Sequence, residues 1–171
     1  REAKPQEKKQ ITLMVTGHRV IPSWVKDELA RVVTKLRSKY DIVKAISGMA
    51  WGTDMLFAEE AMKQGLYLHC YLACQGQQRR WTDENRKAKF RSLVTAADEV
   101  HQVVPGLWKD NSCYIKRDQA MVDDSTFAIV VFNGIVDKEK PSGTCTTKGM
   151  LDKKKVPYVL IDTKNRKTTI V

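Results

Sequence analysis

The chain has 171 residues, 42% apolar and 8% aromatic, which fits one domain with a sizeable core and predicts a compact soluble protein. Its formal net charge of +10 points to an anionic partner or to solubility alone, and no run reaches the roughly 18 apolar residues of a membrane span. Cys70, Cys74, Cys113 and Cys145 form no CxxC pair, so they read as core or near-site residues in a reducing cytosol rather than a disulfide frame or zinc site, and neither metal nor cofactor is expected.

Residues 1–10 are polar, lack the apolar stretch of a signal peptide and are expected to be flexible, leaving a single domain over 11–171 and a cytoplasmic location. Ile11 to Thr16 is a strand pattern ending in Gly17-His18-Arg19. Ser23 is placed to cap a helix whose apolar side chains are Trp24, Val25, Leu29, Val32, Val33 and Leu36. A second strand covers 42–46. Thr53 and Asp54 open a helix with Met55, Leu56, Ala58, Ala61 and Met62 on its apolar face and a stop at Gly65. A third strand covers 66–72, a polar helix about 83–97, a short strand 99–103 and a helix 113–122. Phe127 to Phe132 is the most hydrophobic strand; a loop 133–141, a helix 144–154 and a last central strand 156–161 follow.

Strands without alternation, joined by helices, predict an α/β fold of the Rossmann-like, doubly wound kind: a mostly parallel sheet with helices on both faces. In such a sheet ligands sit at the carboxyl ends of the strands. Gly17-His18-Arg19, Gly48 to Asp54, Gln75 to Trp81, Asn133-Gly134 and Ser142-Gly143-Thr144 all follow strands and so fall on that one edge. Two of these stretches, Ser47 to Asp54 and Pro141 to Thr147, place glycines between a strand and a helix. A glycine turn lets backbone approach an anion, and the helix start points unpaired N–H groups at it. Each alone also reads as an ordinary tight turn.

The charge is clustered. Residues 1–10 carry four basic and two acidic side chains, 79–91 six and two, and 138–171 nine and three, which sums to +12 and leaves −2 for the remainder. Nucleic acid is one partner such clusters fit, although aromatic and basic residues interleave only at Arg79-Arg80-Trp81. Lys153-Lys154-Lys155 equally complements the dipole of the helix it ends, and the lysine-rich ends equally read as disordered tails for solubility or recruitment.

With these motifs in order, the chain resembles the SLOG superfamily, and within it the YpsA-like branch, over about residues 11 to 162. The likeness rests on Thr16-Gly17-His18-Arg19, on Ser47-Gly48-x-Ala50-x-Gly52-x-Asp54 followed by Ala58 and Ala61, and on Gln78-x-x-Trp81 or a nearby register. It continues with Arg117-Asp118-x-x-Met121-Val122-Asp123 and with Asn133-Gly134 leading to Ser142-Gly143-Thr144. The resemblance, shared with DprA DNA-processing proteins and Lonely Guy phosphoribohydrolases, implies a Rossmann-like nucleotide-binding fold, a nucleotide-derived ligand and a homodimer or higher oligomer. It leaves the reaction open.

Under that resemblance Gly17, Gly48, Gly52, Asn133, Gly134, Ser142, Gly143 and Thr144 would present backbone N–H groups and hydroxyls to phosphate, and Arg19 and Arg117 would add charge-assisted bonds. Asp54 either binds a ribose hydroxyl or caps its own backbone; His18 either holds ligand or is structural; Trp51 and Trp81 either stack on a base or pack. Arg117 and Asp118 also read as a helix-surface ion pair. Lonely Guy proteins carry a glutamate three residues past the second Gly-Thr, and Thr147 stands there, which removes the carboxylate that cleaving an N-glycosidic bond needs. Asp54 and Asp118 are then the candidate catalytic groups, with Glu59 and Glu60 expected on a solvated helix face. Three functions follow: a nucleotide-derivative binding protein acting as sensor or sequestering agent, a nucleotide N-glycosidase or phosphoribohydrolase, and a DprA-type DNA-binding protein.

Overall fold

The computed structural model describes residues 7–171. Most of the expected flexible segment lies outside the described residues, and Gln10 already belongs to the first strand. In chain order the elements are β1 (Gln10–Gly17), α1 (Val25–Lys39), β2 (Asp41–Ser47), α2 (Thr53–Lys63), β3 (Leu68–Leu72) and α3 (Glu84–Ala96). They continue with β4 (Glu99–Gln102), α4 (Ser112–Asp124), β5 (Phe127–Phe132), α5 (Gly143–Lys154), β6 (Tyr158–Asp162) and β7 (Lys167–Ile170).

The seven strands form one sheet in the order β4-β3-β2-β1-β5-β6-β7, parallel except for β7. The absence of alternation in β1 and β5 has a direct cause in this layering. Leu13, Val15, Ile129 and Val131 point to a core shared with α1, α2 and α3, while Met14, Ala128, Val130 and Phe132 point to a second core shared with α4 and α5. Both faces are covered, so both registers must be apolar. Phe57, fully buried on α2 and outside the apolar face expected from spacing, joins the first core, whereas Met62 from that face is 38% exposed.

Three crossovers carry the chain outward from β1 to β4, and α4 then brings it back to β5 on the other side of β1. Winding therefore reverses between β1 and β5, and the carboxyl ends of these strands are where a doubly wound sheet takes its ligands. Two local expectations need correction. Ser23 does not cap α1; the capping position is Trp24, without a side-chain bond, and Val25 N–H donates to the Pro22 carbonyl instead. The lysine-rich end is not a tail throughout, because Lys167–Ile170 turns back as β7 on β6, with Tyr158 and Val171 exchanging backbone bonds.

Candidate anion site at the carboxyl edge

Three loops meet where the winding reverses, and His18 joins them. Its carbonyl accepts the Thr53 hydroxyl (2.9 Å) and the Thr53 N–H (3.3 Å), tying the turn after β1 to the start of α2. Its ring Nε2 accepts the Asn133 N–H (3.1 Å), tying in the loop after β5. That bond requires an unprotonated Nε2, and partial burial lowers the pKa of His18 while the Asn133 side chain pulls the other way. Through these bonds His18 ties the turn after β1 to the loops after β2 and β5.

The turn after β2 is shaped by its own polar groups. Ser47 Oγ accepts the Met49 N–H and donates to the Asp54 carbonyl, and Asp54 Oδ2 accepts the Ala50 N–H at 3.2 Å. Asp54 therefore braces the backbone of the turn in front of its helix. Gly52 stands at φ +93°, and a Cβ there would collide with the Arg19 carbonyl oxygen, so only glycine lets the two loops close on each other. Gly48 is equally confined: a Cβ would lie 2.9 Å from Arg117 Nε and 3.1 Å from Asp54 Oδ2.

Arg117 reaches from α4 beneath this turn. It is 6% exposed, donates from Nη1 to the Gly48 carbonyl (3.1 Å) and from Nε to Asp118 Oδ1 (3.1 Å), and so forms an inward-facing ion pair rather than one on the helix surface. The hydroxyl of Thr147 on α5 lies 3.0 Å from Asp118 Oδ2 and 2.9 Å from the Gly143 carbonyl, dividing one proton between them. Gln77 completes the frame: its Oε1 accepts the Ala73 N–H (2.8 Å) and its Nε2 donates to the Gly48 and Met49 carbonyls (3.2 and 3.3 Å). Sequence reading pointed at the stretch from Gln75 to Trp81 without singling out Gln77; an interior glutamine beside Gln75 and Gln78 carries no periodic signal. Burial pushes the Asp54 carboxyl up to about 6, with Arg117 opposing the rise and Asp118 adding to it. Burial also works against the Arg117 charge, but Asp118 and Asp54 outweigh it and hold the guanidinium protonated.

The groups left open at this edge are of a different kind. Among the described residues, the N–H groups of Trp51, Gly52, Gly134, Gly143 and Thr144 meet no acceptor, while Ser142 Oγ accepts the Cys145 N–H (3.1 Å) as the cap of α5. Arg19 is exposed and has no carboxylate partner among the described residues. Thr144 is buried, and Ser142, Gly143 and Gly134 are exposed. Trp81 packs edge-on against Phe90 with ring centroids 5.5 Å apart, whereas half-buried Trp51 carries the Arg86 guanidinium 4.3 Å from its ring centroid. Glu59 ion-pairs with Lys89 and Glu60 accepts the Gln64 amide, so neither carboxylate is only solvated. Among the described residues there is no cluster of three metal-ligating side chains, and no helix is long and apolar enough to cross a membrane.

A model of the YspA SLOG family matches residues 16–165. No curated protein matches the chain. Among solved structures it is similar to DNA processing protein A (DprA) from Streptococcus pneumoniae, with TM-score 0.63 and 16% identity over 87% of this chain and 49% of that one. It is also similar to the DNA processing protein A from Helicobacter pylori, described for its single-stranded DNA binding mode, with TM-score 0.63 and 14% identity over 90% of this chain and 65% of that one. At such identities the likeness is one of fold, and the chain spans between half and two thirds of the length of those proteins.

Proposed function

Since the chain belongs to the YspA SLOG family, we propose that it binds a nucleotide or nucleotide-derived ligand at the carboxyl edge of its sheet, as a sensor or sequestering protein. One observation carries this reading: the unpartnered groups at the winding reversal are N–H donors and one exposed arginine, whereas the carboxylates there are already bonded within the protein. Donors of this kind fit phosphate, and the start of α5 adds the positive end of its dipole. Gly48, Arg117, His18 and Asp54 act in this scheme by fixing the turns, and Arg19, Gly52, Gly134, Gly143 and Thr144 by meeting the ligand.

The N-glycosidase alternative would draw on Asp54 or Asp118. Asp54 has the near-neutral carboxyl that acid–base chemistry wants, but both carboxylates are spent on Ala50, Arg117 and Thr147, and Thr147 itself offers no anion. A DNA-binding role is favoured by a separate feature, the exposed Arg79, Arg80, Arg86 and Arg91 beside the same edge. The test is thermal unfolding of the protein with ribonucleotides, deoxyribonucleotides, dinucleotides and a single-stranded oligonucleotide, with free base followed by mass. Stabilisation by a nucleotide without base release, abolished in Arg19→Ala, is the expected result. Base release lost in Asp118→Asn would replace it with the hydrolase, and binding only by the long strand, falling steeply with salt, with the DNA-binding role.

A further inference from the structure

A groove of about 270 Å³ lies beside the anion site, between the loop after β1, the start of α2 and α3. Resting on the nucleotide reading above, we propose that this groove is a base-binding subsite that takes the planar nucleobase of a ligand whose phosphate sits at the carboxyl edge. Its volume falls just below the roughly 300–1,000 Å³ of whole-ligand pockets, which suits one ring system.

Its chemistry is that of an anionic, aromatic ligand. Ile21, Met55 and Leu56 supply an apolar wall, Trp51 supplies a π-face, and Arg19, Arg86 and Lys89 outnumber the single carboxylate of Glu59. The Arg86 guanidinium already lies over Trp51, so a planar group can stack on the indole; a base takes that position, and Arg86, which is exposed, moves out to stack on the base's other face. Arg19 joins the two halves of the site: its carbonyl closes on Gly52 at the edge and its side chain lines the groove. Glu59 sets the selectivity. Its Oε1 is covered by Lys89, but the side chain is still 31% exposed beside the groove, where a carboxylate oxygen paired with a lysine accepts hydrogen bonds. It therefore selects bases that present N–H donors, guanine above all, whose ring N–H and amino group stand side by side.

Isothermal titration of the intact chain with GMP, AMP, ribose 5-phosphate and a 5′-phosphorylated single-stranded dodecamer ending in dG tests the subsite. GMP should bind more tightly than ribose 5-phosphate, and Trp51→Ala should weaken GMP by roughly five- to 150-fold while leaving ribose 5-phosphate unchanged. Trp51→Phe should retain the advantage of GMP, and Glu59→Gln should narrow its margin over AMP. Should Trp51→Ala fail to fold, Glu59→Gln and Arg86→Ala carry the test. Tighter binding of the dodecamer than of GMP, lost on the same substitution, would identify a strand end as the source of the base. Equal affinities for GMP and ribose 5-phosphate, or indifference of both to Trp51→Ala, would overturn the subsite and leave the anion site standing. Silence of every probe would overturn both.

Discussion

The frame under the turn after β2 and the groove beside it both carry arginines and carboxylates, and these behave oppositely in the two places. In the frame, Arg117, Asp118, Asp54, Gln77 and Thr147 are buried or nearly so and bonded to one another or to backbone. In the groove, Arg19 and Arg86 are exposed and Trp51 is half-buried. A buried polar group without a partner is costly, so the frame must be complete before any ligand arrives, and its charges are not free to grip one. Side chains in the groove keep part of their hydration, and a ligand can take its place. Charged residues at a functional edge thus divide into those that shape it and those that meet the ligand, and burial separates the two.

This division gives graded expectations. The largest effect belongs to Gly52→Ala. The new Cβ meets the Arg19 carbonyl at a φ disfavoured for alanine, which should cost about 3 kcal/mol or more, or prevent folding, as read by urea unfolding. Arg117→Met follows at roughly 3–5 kcal/mol, because it leaves Asp118 and Asp54 buried without their cation.

The third expectation concerns pH. The folded Asp54 carboxyl is raised to about 6 from 3.8, so between those values the native state holds more protons than the unfolded chain. Its contribution to stability therefore rises as pH falls from 7 to 4, by on the order of 3 kcal/mol. His18 and His69, both lowered chiefly by burial, work against it, losing stability as pH falls below their ordinary 6.5. The difference between wild type and Asp54→Asn isolates the aspartate: in chemical unfolding from pH 4 to 8, wild type should gain on the variant toward acid. Within the frame the smallest effect is expected of Thr147→Val, about 1 kcal/mol, since it removes one hydrogen bond that Asp118 accepts and keeps the volume. A groove residue breaks the series from the other side, because Arg86→Ala should leave the melting temperature within a degree or two while weakening nucleotide binding.

The sheet was readable in the residues because a strand covered on both faces needs an unbroken apolar run, as Phe127 to Phe132 has. β7 was not: Lys167-Thr168-Thr169-Ile170 is short, half-exposed and adjacent to a basic stretch, and only pairing with β6 makes it a strand. At the site, glycines and strand ends located the edge, since a turn constrained by φ leaves a mark in composition. The role of each charged residue left no such mark. Arg117 and Arg19 look alike in sequence, and what distinguishes them is depth, which depends on how α4 crosses beneath Gly48. Gln77 escaped for the same reason.

Amide chemical shifts report where on the sheet a nucleotide lies. On titrating 15N-labelled protein with GMP, the N–H signals of Gly17 to Arg19, Trp51, Gly52, Gly134, Gly143 and Thr144 should move, and those of Tyr40, Gly65 and Lys155 at the opposite edge should not. Shifts confined to that opposite edge would move the ligand away from the carboxyl ends, and none at saturating nucleotide would mean that the carboxyl edge holds no nucleotide.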